Sequence, residues 1–191
     1  MTLLGIIILA FFYTVYIGKM LFQKRKGIQT DQMAKGKKKD KVFYTELVMK
    51  IATYTVVGVE VISIFLVESK LPQLILIIGV VLGFIGDIIF AVAVVTMKDS
   101  WRAGIAEKDK TEMVTNGIYQ ISRNPVFLGF DCVYIGILLM FFNVPLLLFS
   151  VWAMVMLHLQ ILQEEQYLPS VFGTDYIEYQ NKVCRYLGRR K

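Results

Sequence analysis

The amino-acid sequence predicts an all-α integral membrane protein, and three observations carry that reading. Of its 191 residues, 56% are hydrophobic and the mean hydropathy is +0.58, above the share expected of a soluble domain. Runs such as residues 74–85 are apolar on every side, whereas a helix of a water-soluble bundle sets an apolar stripe against a polar face. The formal net charge of +6 is gathered into three segments rather than spread along the chain. A helix of about 20 apolar residues crosses a hydrocarbon core about 30 Å thick, so the chain reads as one membrane domain, 1–191, with about five transmembrane helices.

The spans are expected at 3–22, 43–67, 71–97, 125–142 and 144–162. The first lacks a basic leader and a small-residue cleavage site, so it is expected to be a mature span and not a cleaved signal. Segment 23–41 carries Lys24, Arg25, Lys26, Lys35, Lys37, Lys38, Lys39 and Lys41; it is expected to be a flexible linker outside any site. The turns at 68–72 and 142–145 are short and join antiparallel neighbours. Residues 98–124 form the sizeable loop, with Lys98, Arg102, Lys108, Lys110 and Arg123 and short helical pieces. In 175–186, Tyr176, Tyr179 and Val183 share one helical face, which predicts an amphipathic helix docking on the site or on the membrane surface.

Threaded in order, the spans place 23–41, 98–124 and the tail cations Lys182, Arg185, Arg189, Arg190 and Lys191 on one side, against Lys70 on the other. The positive-inside rule makes the richer side cytoplasmic and puts the N-terminus outside. The charge is therefore topological, with attraction to anionic lipid headgroups. Membrane lipids are expected partners, nucleic acid is not, and a prokaryotic cell membrane is the expected setting. Within the spans, Glu60, Asp87 and Asp131 are ionisable groups where such groups are costly. Gly83 and Gly86 beside Asp87 permit close helix packing, so Asp87 is expected to hydrogen-bond a neighbouring helix. Cys132 and Cys184 do not make a disulfide framework. His158 is the single histidine, without the further ligands a metal site needs.

The densest motif runs from Gly117 through Tyr119, Arg123, Pro125 and Phe127 to Gly129, in the pattern G-x-Y-x-x-x-R-x-P-x-F-x-G. An apolar hairpin follows, then Glu164-Glu165 in E-E-x-x-L, then F-G-x-x-Y-x-x-Y from Phe172 to Tyr179. Each piece has an ordinary explanation. An arginine at the mouth of a span snorkels to headgroups, and Pro125 suits the first turn of a helix, where its missing N–H costs nothing. Glu164 and Glu165 read as the end of the fifth span, where the helix dipole disfavours carboxylates unless a cation offsets the cost.

As an ordered set, these motifs resemble the isoprenylcysteine carboxyl methyltransferase family and the related membrane phospholipid methyltransferases, over residues 98–187. The resemblance implies an integral-membrane enzyme that moves a methyl group from S-adenosyl-L-methionine to a lipid-like or prenylated acceptor entering from the bilayer. It makes 1–97 a three-helix membrane part and 98–191 the methyltransferase core, with the 98–124 loop as a cytoplasmic cofactor-binding loop. It implies cofactor contacts from Thr111, Glu112, Met113, Val114, Tyr119, Asn124, Pro125, Val126, Phe127 and Glu164. Arg123 would order the site, Glu165 would take a proton from an amine acceptor, and Gln160 and His158 would face the acceptor; no metal is implied. Three positions differ from the family's usual pattern: Asn124 stands for histidine, Phe127 for tyrosine, and Gln160 for the arginine that would hold an acceptor carboxylate. Two other readings share the motif set: an NADPH-dependent sterol reductase-like enzyme, and a binding or assembly protein on the same scaffold without turnover.

Overall fold

The computed structural model describes residues 1–34, 41–104 and 111–190. Lys35, Lys37, Lys38, Lys39, Lys108, Lys110 and Lys191, which entered the charge argument, lie outside the described residues. Among the described residues five α-helices make the fold: α1 (Thr2–Arg25), α2 (Lys41–Leu66), α3 (Gln73–Met97), α4 (Pro125–Met140) and α5 (Val144–Lys182). Four of them, α1, α2, α3 and α5, are long and apolar enough to cross a membrane. With 16 residues, α4 is about 24 Å long at 1.5 Å per residue, a little short of a full hydrocarbon core. It is an all-α integral membrane fold, and side chains such as Leu66, Leu74 and Val95 stand exposed around it, as a lipid-facing surface requires.

The tightest packing is between α3 and α4, and glycine makes it possible. Gly79, Gly83 and Gly86 lie on one face of α3, and Gly129 and Gly136 on one face of α4. A Cβ on Gly79 would come 2.8 Å from the Gly136 carbonyl oxygen, one on Gly86 would come 2.8 Å from the Gly129 carbonyl oxygen, and one on Gly136 would come 2.6 Å from the Gly83 nitrogen. In lipid, where no water is expelled on contact, such backbone-to-backbone approach is the main source of helix association. α1 packs across this pair: Ile8 lies against Gly83, and the Phe12 ring is 4.3 Å from Phe90 and 4.7 Å from Phe130 between centroids. α2 packs on α5, with Ala52 and Val56 buried together with Ala153 and Leu157.

Side-chain contacts assign the two ends of the bundle. At one end Gly5 abuts Phe141 and Ile64. There Asn143 donates to Ser63 Oγ at 2.9 Å and accepts from Leu146 N at 2.9 Å, which caps α5. At the other end Gln23 Nε2 donates to the Trp101 carbonyl at 3.1 Å.

Three expectations are corrected. The described part of segment 23–41 is packed: Thr30 donates to Gln23 at 2.7 Å, and Gln32 N and Ala103 N exchange hydrogen bonds with Ala103 and Thr30 carbonyls. Buried polar groups at 23 and 30 hold it down, a signal that its lysines obscured. The fifth span does not end near 162, since α5 runs on to Lys182 with a sharp bend at Gly173, where φ is 60° and ψ −137°. The helix continues because Leu168 and Phe172 have Tyr176 and Tyr179 to pack against, so Glu164 and Glu165 sit mid-helix and the dipole argument made for them falls. Asp87 is buried, but neither carboxylate oxygen has a hydrogen-bond partner among the described residues: the glycines beside it bring backbone, not a donor, to its face.

Candidate functional site

A cavity of about 250 Å³ opens at the Gln23–Trp101 end of the bundle, and most of the motif residues line it. The chain enters it in an extended stretch, where Thr111, Glu112, Met113 and Val114 form one wall. Gly117 then turns the backbone with φ of +58°, a conformation glycine adopts without strain, and the 3₁₀ turn Gly117–Gln120 sets Tyr119 into the wall. Asn124, Pro125, Val126 and Phe127, the first turn of α4, line the next side, and Gln160 and Glu164 on α5 face them. All ten expected cofactor contacts thus border one cavity.

Beneath that wall lies a clamp. Glu165 accepts from Arg123 Nε and Nη2 at 3.1 and 2.8 Å through Oε1, and from Arg185 Nε and Nη2 at 2.9 and 2.8 Å through Oε2. Asn124 Nδ2 adds a bond to Glu165 Oε1 at 3.2 Å and another to the Arg185 carbonyl. The Arg123 and Glu165 side chains are 2% and 4% exposed; each arginine converges two N–H groups on one carboxylate oxygen, and charge-assisted bonds of this kind are strong. Arg123 also donates to the Gln180 carbonyl at 2.8 Å, and its backbone N–H to Cys184 O at 3.1 Å. The hydrogen bond to Glu165 raises the Arg185 guanidinium above its ordinary value. α4, α5 and the tail are thereby joined at one carboxylate.

Arg123 lines the cavity while Glu165 and His158 do not. Both Glu165 oxygens are taken by arginines. His158 Nδ1 is 2.6 Å from Tyr186 Oη, with the two rings stacked, so it is tied to the tail.

Glu164 has the opposite surroundings. Gln160 Nε2 donates to its Oε1 at 3.0 Å, and the same nitrogen lies 3.4 Å from Glu46 Oε1. Glu46, in the first turns of α2, also accepts from Ala34 N at 2.8 Å. Tyr119 is buried, its hydroxyl has no partner among the described residues, and burial, then Tyr179 and Glu164, push it above the ordinary tyrosine range. It stays protonated, with its hydroxyl buried in the cavity wall. Tyr179 Oη donates to the Tyr119 carbonyl at 2.6 Å, which docks the last turns of α5 on the site.

The sequence reading missed Glu46, Arg185 and the far side of the cavity: Met33, Trp101, Tyr13, Tyr16 and Tyr54. For Glu46 a signal existed, since it shares a helical face with Met49, Ala52 and Val56, all buried on α2. Arg185 carried none, because its partner is fixed by the fold of the tail.

The fold is that of an all-α integral membrane protein with an aromatic-lined cavity at one end, walled by both loop and span. The family model of the isoprenylcysteine carboxyl methyltransferase (ICMT) family matches residues 74–170, half of the chain, and the chain belongs to that family. It is 30% identical over 120 residues to the protein-S-isoprenylcysteine O-methyltransferase of Saccharomyces cerevisiae, covering 60% of this chain and 49% of that protein. It is 31% identical over 108 residues to protein-S-isoprenylcysteine O-methyltransferase B of Arabidopsis thaliana, covering 55% of each. With the Schizosaccharomyces pombe protein-S-isoprenylcysteine O-methyltransferase it shares 35% identity over 107 residues, 53% of this chain and 45% of that one. The chain spans about half the length of the curated relatives it matches.

Proposed function

We propose that this chain is a membrane methyltransferase that takes its methyl group from S-adenosyl-L-methionine and gives it to a lipid-like acceptor. The observation that carries the reading is the gathering of residues 111–114, Tyr119, 124–127 and Glu164 around one cavity. The residues fit the cofactor. Its sulfonium and ammonium are cations, and the Glu164 carboxylate and the faces of Tyr119, Tyr176 and Phe127 attract cations. The unpartnered Tyr119 hydroxyl suits a ribose or carboxylate oxygen, and Met113, Val114 and Leu168 make an apolar slot for adenine. When bound, the cofactor supplies an electrophilic methyl group, and the chain supplies geometry and exclusion of water.

In this reading Arg123 and Glu165 are positioning residues. They fix the first turn of α4 against α5, so that Asn124 to Phe127 keep their place at the cavity. Tyr13, Tyr16, Tyr54 and Val57, all on the two N-terminal helices, form the end where an apolar acceptor enters from the bilayer. The acceptors named for the relatives are isoprenylcysteines, and a prenyl tail suits such walls.

The experiment is methyl transfer from labelled S-adenosyl-L-methionine to a membrane lipid extract by the purified full chain in proteoliposomes. Label recovered in lipid, and lost with Glu164→Gln, is the expected result. Tight binding of NADPH with none of S-adenosylhomocysteine would replace this reading with the reductase. Binding of S-adenosylhomocysteine without transfer to any lipid or prenylcysteine would leave a binding protein.

A further inference from the structure

We propose that the C-terminal hairpin, residues 182–190, docks on the surface of an anionic lipid leaflet. Leu187 and Ile121 enter the boundary between headgroups and acyl chains, and Arg189 and Arg190 pair with lipid phosphate. The proposal holds whatever the cavity binds.

The hairpin is a built element and not a loose tail. Val183 and Arg189 bridge as antiparallel strands do. Cys184 N donates to the Gly188 carbonyl and Arg190 N to the Lys182 carbonyl, both at 2.9 Å. Gly188 makes the turn with φ of +111°, which a side chain would resist. The hairpin is in turn fixed to the segment that leads into α4: Gly188 N donates to the Ile121 carbonyl at 2.7 Å, and Arg123 N to the Cys184 carbonyl at 3.1 Å. What its tip presents is therefore set by the fold.

The tip reaches lipid level. Tyr186 meets His158 through its hydroxyl and its ring face. His158 precedes Glu164 by six residues on α5, which places it about 9 Å nearer the middle of the bundle. Its neighbour Leu159 is exposed on a helix fit to span the bilayer, so α5 faces lipid at that level. Leu187, the next residue of the tip, is 62% exposed, and Ile121, whose carbonyl holds Gly188, is 47% exposed. Side chains of this kind gain by burial at the headgroup–acyl boundary.

The charges beside this apolar pair complete the surface. Arg189 and Arg190 are exposed, and neither side chain has a partner among the described residues. The other cations of the hairpin are engaged: Arg185 with Glu165, and Lys182 with Glu178 at 3.2 Å. Guanidinium groups pair well with phosphate oxygens, and a leaflet of net negative charge draws cations to its surface. An acidic protein arriving from solvent would suit the arginines, but not a tip set at the level of Leu159.

The test uses the full chain without Cys132 and Cys184, spin-labelled at Leu187→Cys, in nanodiscs of phosphatidylcholine alone or mixed with phosphatidylglycerol. Leu159→Cys gives the lipid reference and a free nitroxide the aqueous one. With phosphatidylglycerol present, the label at 187 is expected to favour collision with oxygen over a nickel chelate, approaching the lipid reference. Arg189→Gln and Arg190→Gln, made singly, are expected to raise the half-saturating fraction of phosphatidylglycerol about fivefold each. All three positions are exposed, so the variants should melt with the parent. A label at 187 as open to the nickel chelate as the free nitroxide would overturn the proposal. So would collision rates that ignore both the lipid charge and the loss of either arginine.

Discussion

Successive residues on an α-helix point about 100° apart, so Glu164 and Glu165 meet different neighbours and should respond differently to the same change. Glu165→Gln leaves Arg123 buried beside a neutral amide; breaking one partner of such a pair costs about 3–5 kcal/mol. It is expected to lower the denaturation midpoint sharply in detergent. Glu164→Gln leaves no buried cation alone, so stability should hold while cofactor affinity falls. Arg123→Lys should resemble Glu165→Gln, because an ammonium carries its N–H groups on one nitrogen and cannot span Glu165 and the Gln180 carbonyl as the planar guanidinium does with three. A midpoint for Glu165→Gln equal to the parent's would remove the clamp from the account. At this scale the sequence told which residues gather: Arg123, Asn124 and the glutamate pair stand in motifs. The resemblance gave Glu164 to the cofactor, but nothing in the sequence showed that Glu165 is held in a clamp, because that depends on Arg185 arriving from a tail with no motif of its own.

Among the elements, the α3–α4 contact and the bend in α5 make separate claims. Gly136→Ala puts a methyl group 2.6 Å from the Gly83 nitrogen and 2.7 Å from the Gly79 carbonyl, so the helices must part; overpacking of this order costs about 1–3 kcal/mol. Gly173 has open space around its Cβ position, so Gly173→Ala is strained by its backbone alone, by about 1–3 kcal/mol. The two can be told apart by limited proteolysis. Gly136→Ala should weaken the whole bundle, and Gly173→Ala should release the segment after the bend while α1 to α4 stay protected. The spans themselves were legible, since apolar length is the signal that a bilayer imposes. The run of α5 past 162 was not, because polar residues at 163–166 look like an exit from lipid. Here Gln163, Glu164 and Glu165 are held by Thr45, Gln160, Arg123 and Arg185.

Over the whole molecule, the two ends of the bundle are distinct, and the cavity belongs to one of them. The cation-rich segments that the structure describes lie at the Gln23–Trp101 end, and the turn at 68–72 follows α2 at the end where Ser63 meets Asn143. Single cysteines in place of Lys24, Ser69 and Arg190, in a chain without Cys132 and Cys184, should label from the cytoplasmic side at 24 and 190 and from the opposite side at 69. Labelling of 69 together with 24 would contradict the positive-inside argument. The central claim is that Glu164 belongs to a cavity for a sulfonium cofactor. Calorimetry of S-adenosylhomocysteine on the detergent-solubilised full chain, parent beside Glu164→Gln, tests it most directly. The account predicts saturable binding by the parent and a loss of about tenfold to hundredfold in the variant, the worth of one charge-assisted hydrogen bond. Equal affinity in the two proteins, or no binding by the parent, would contradict it.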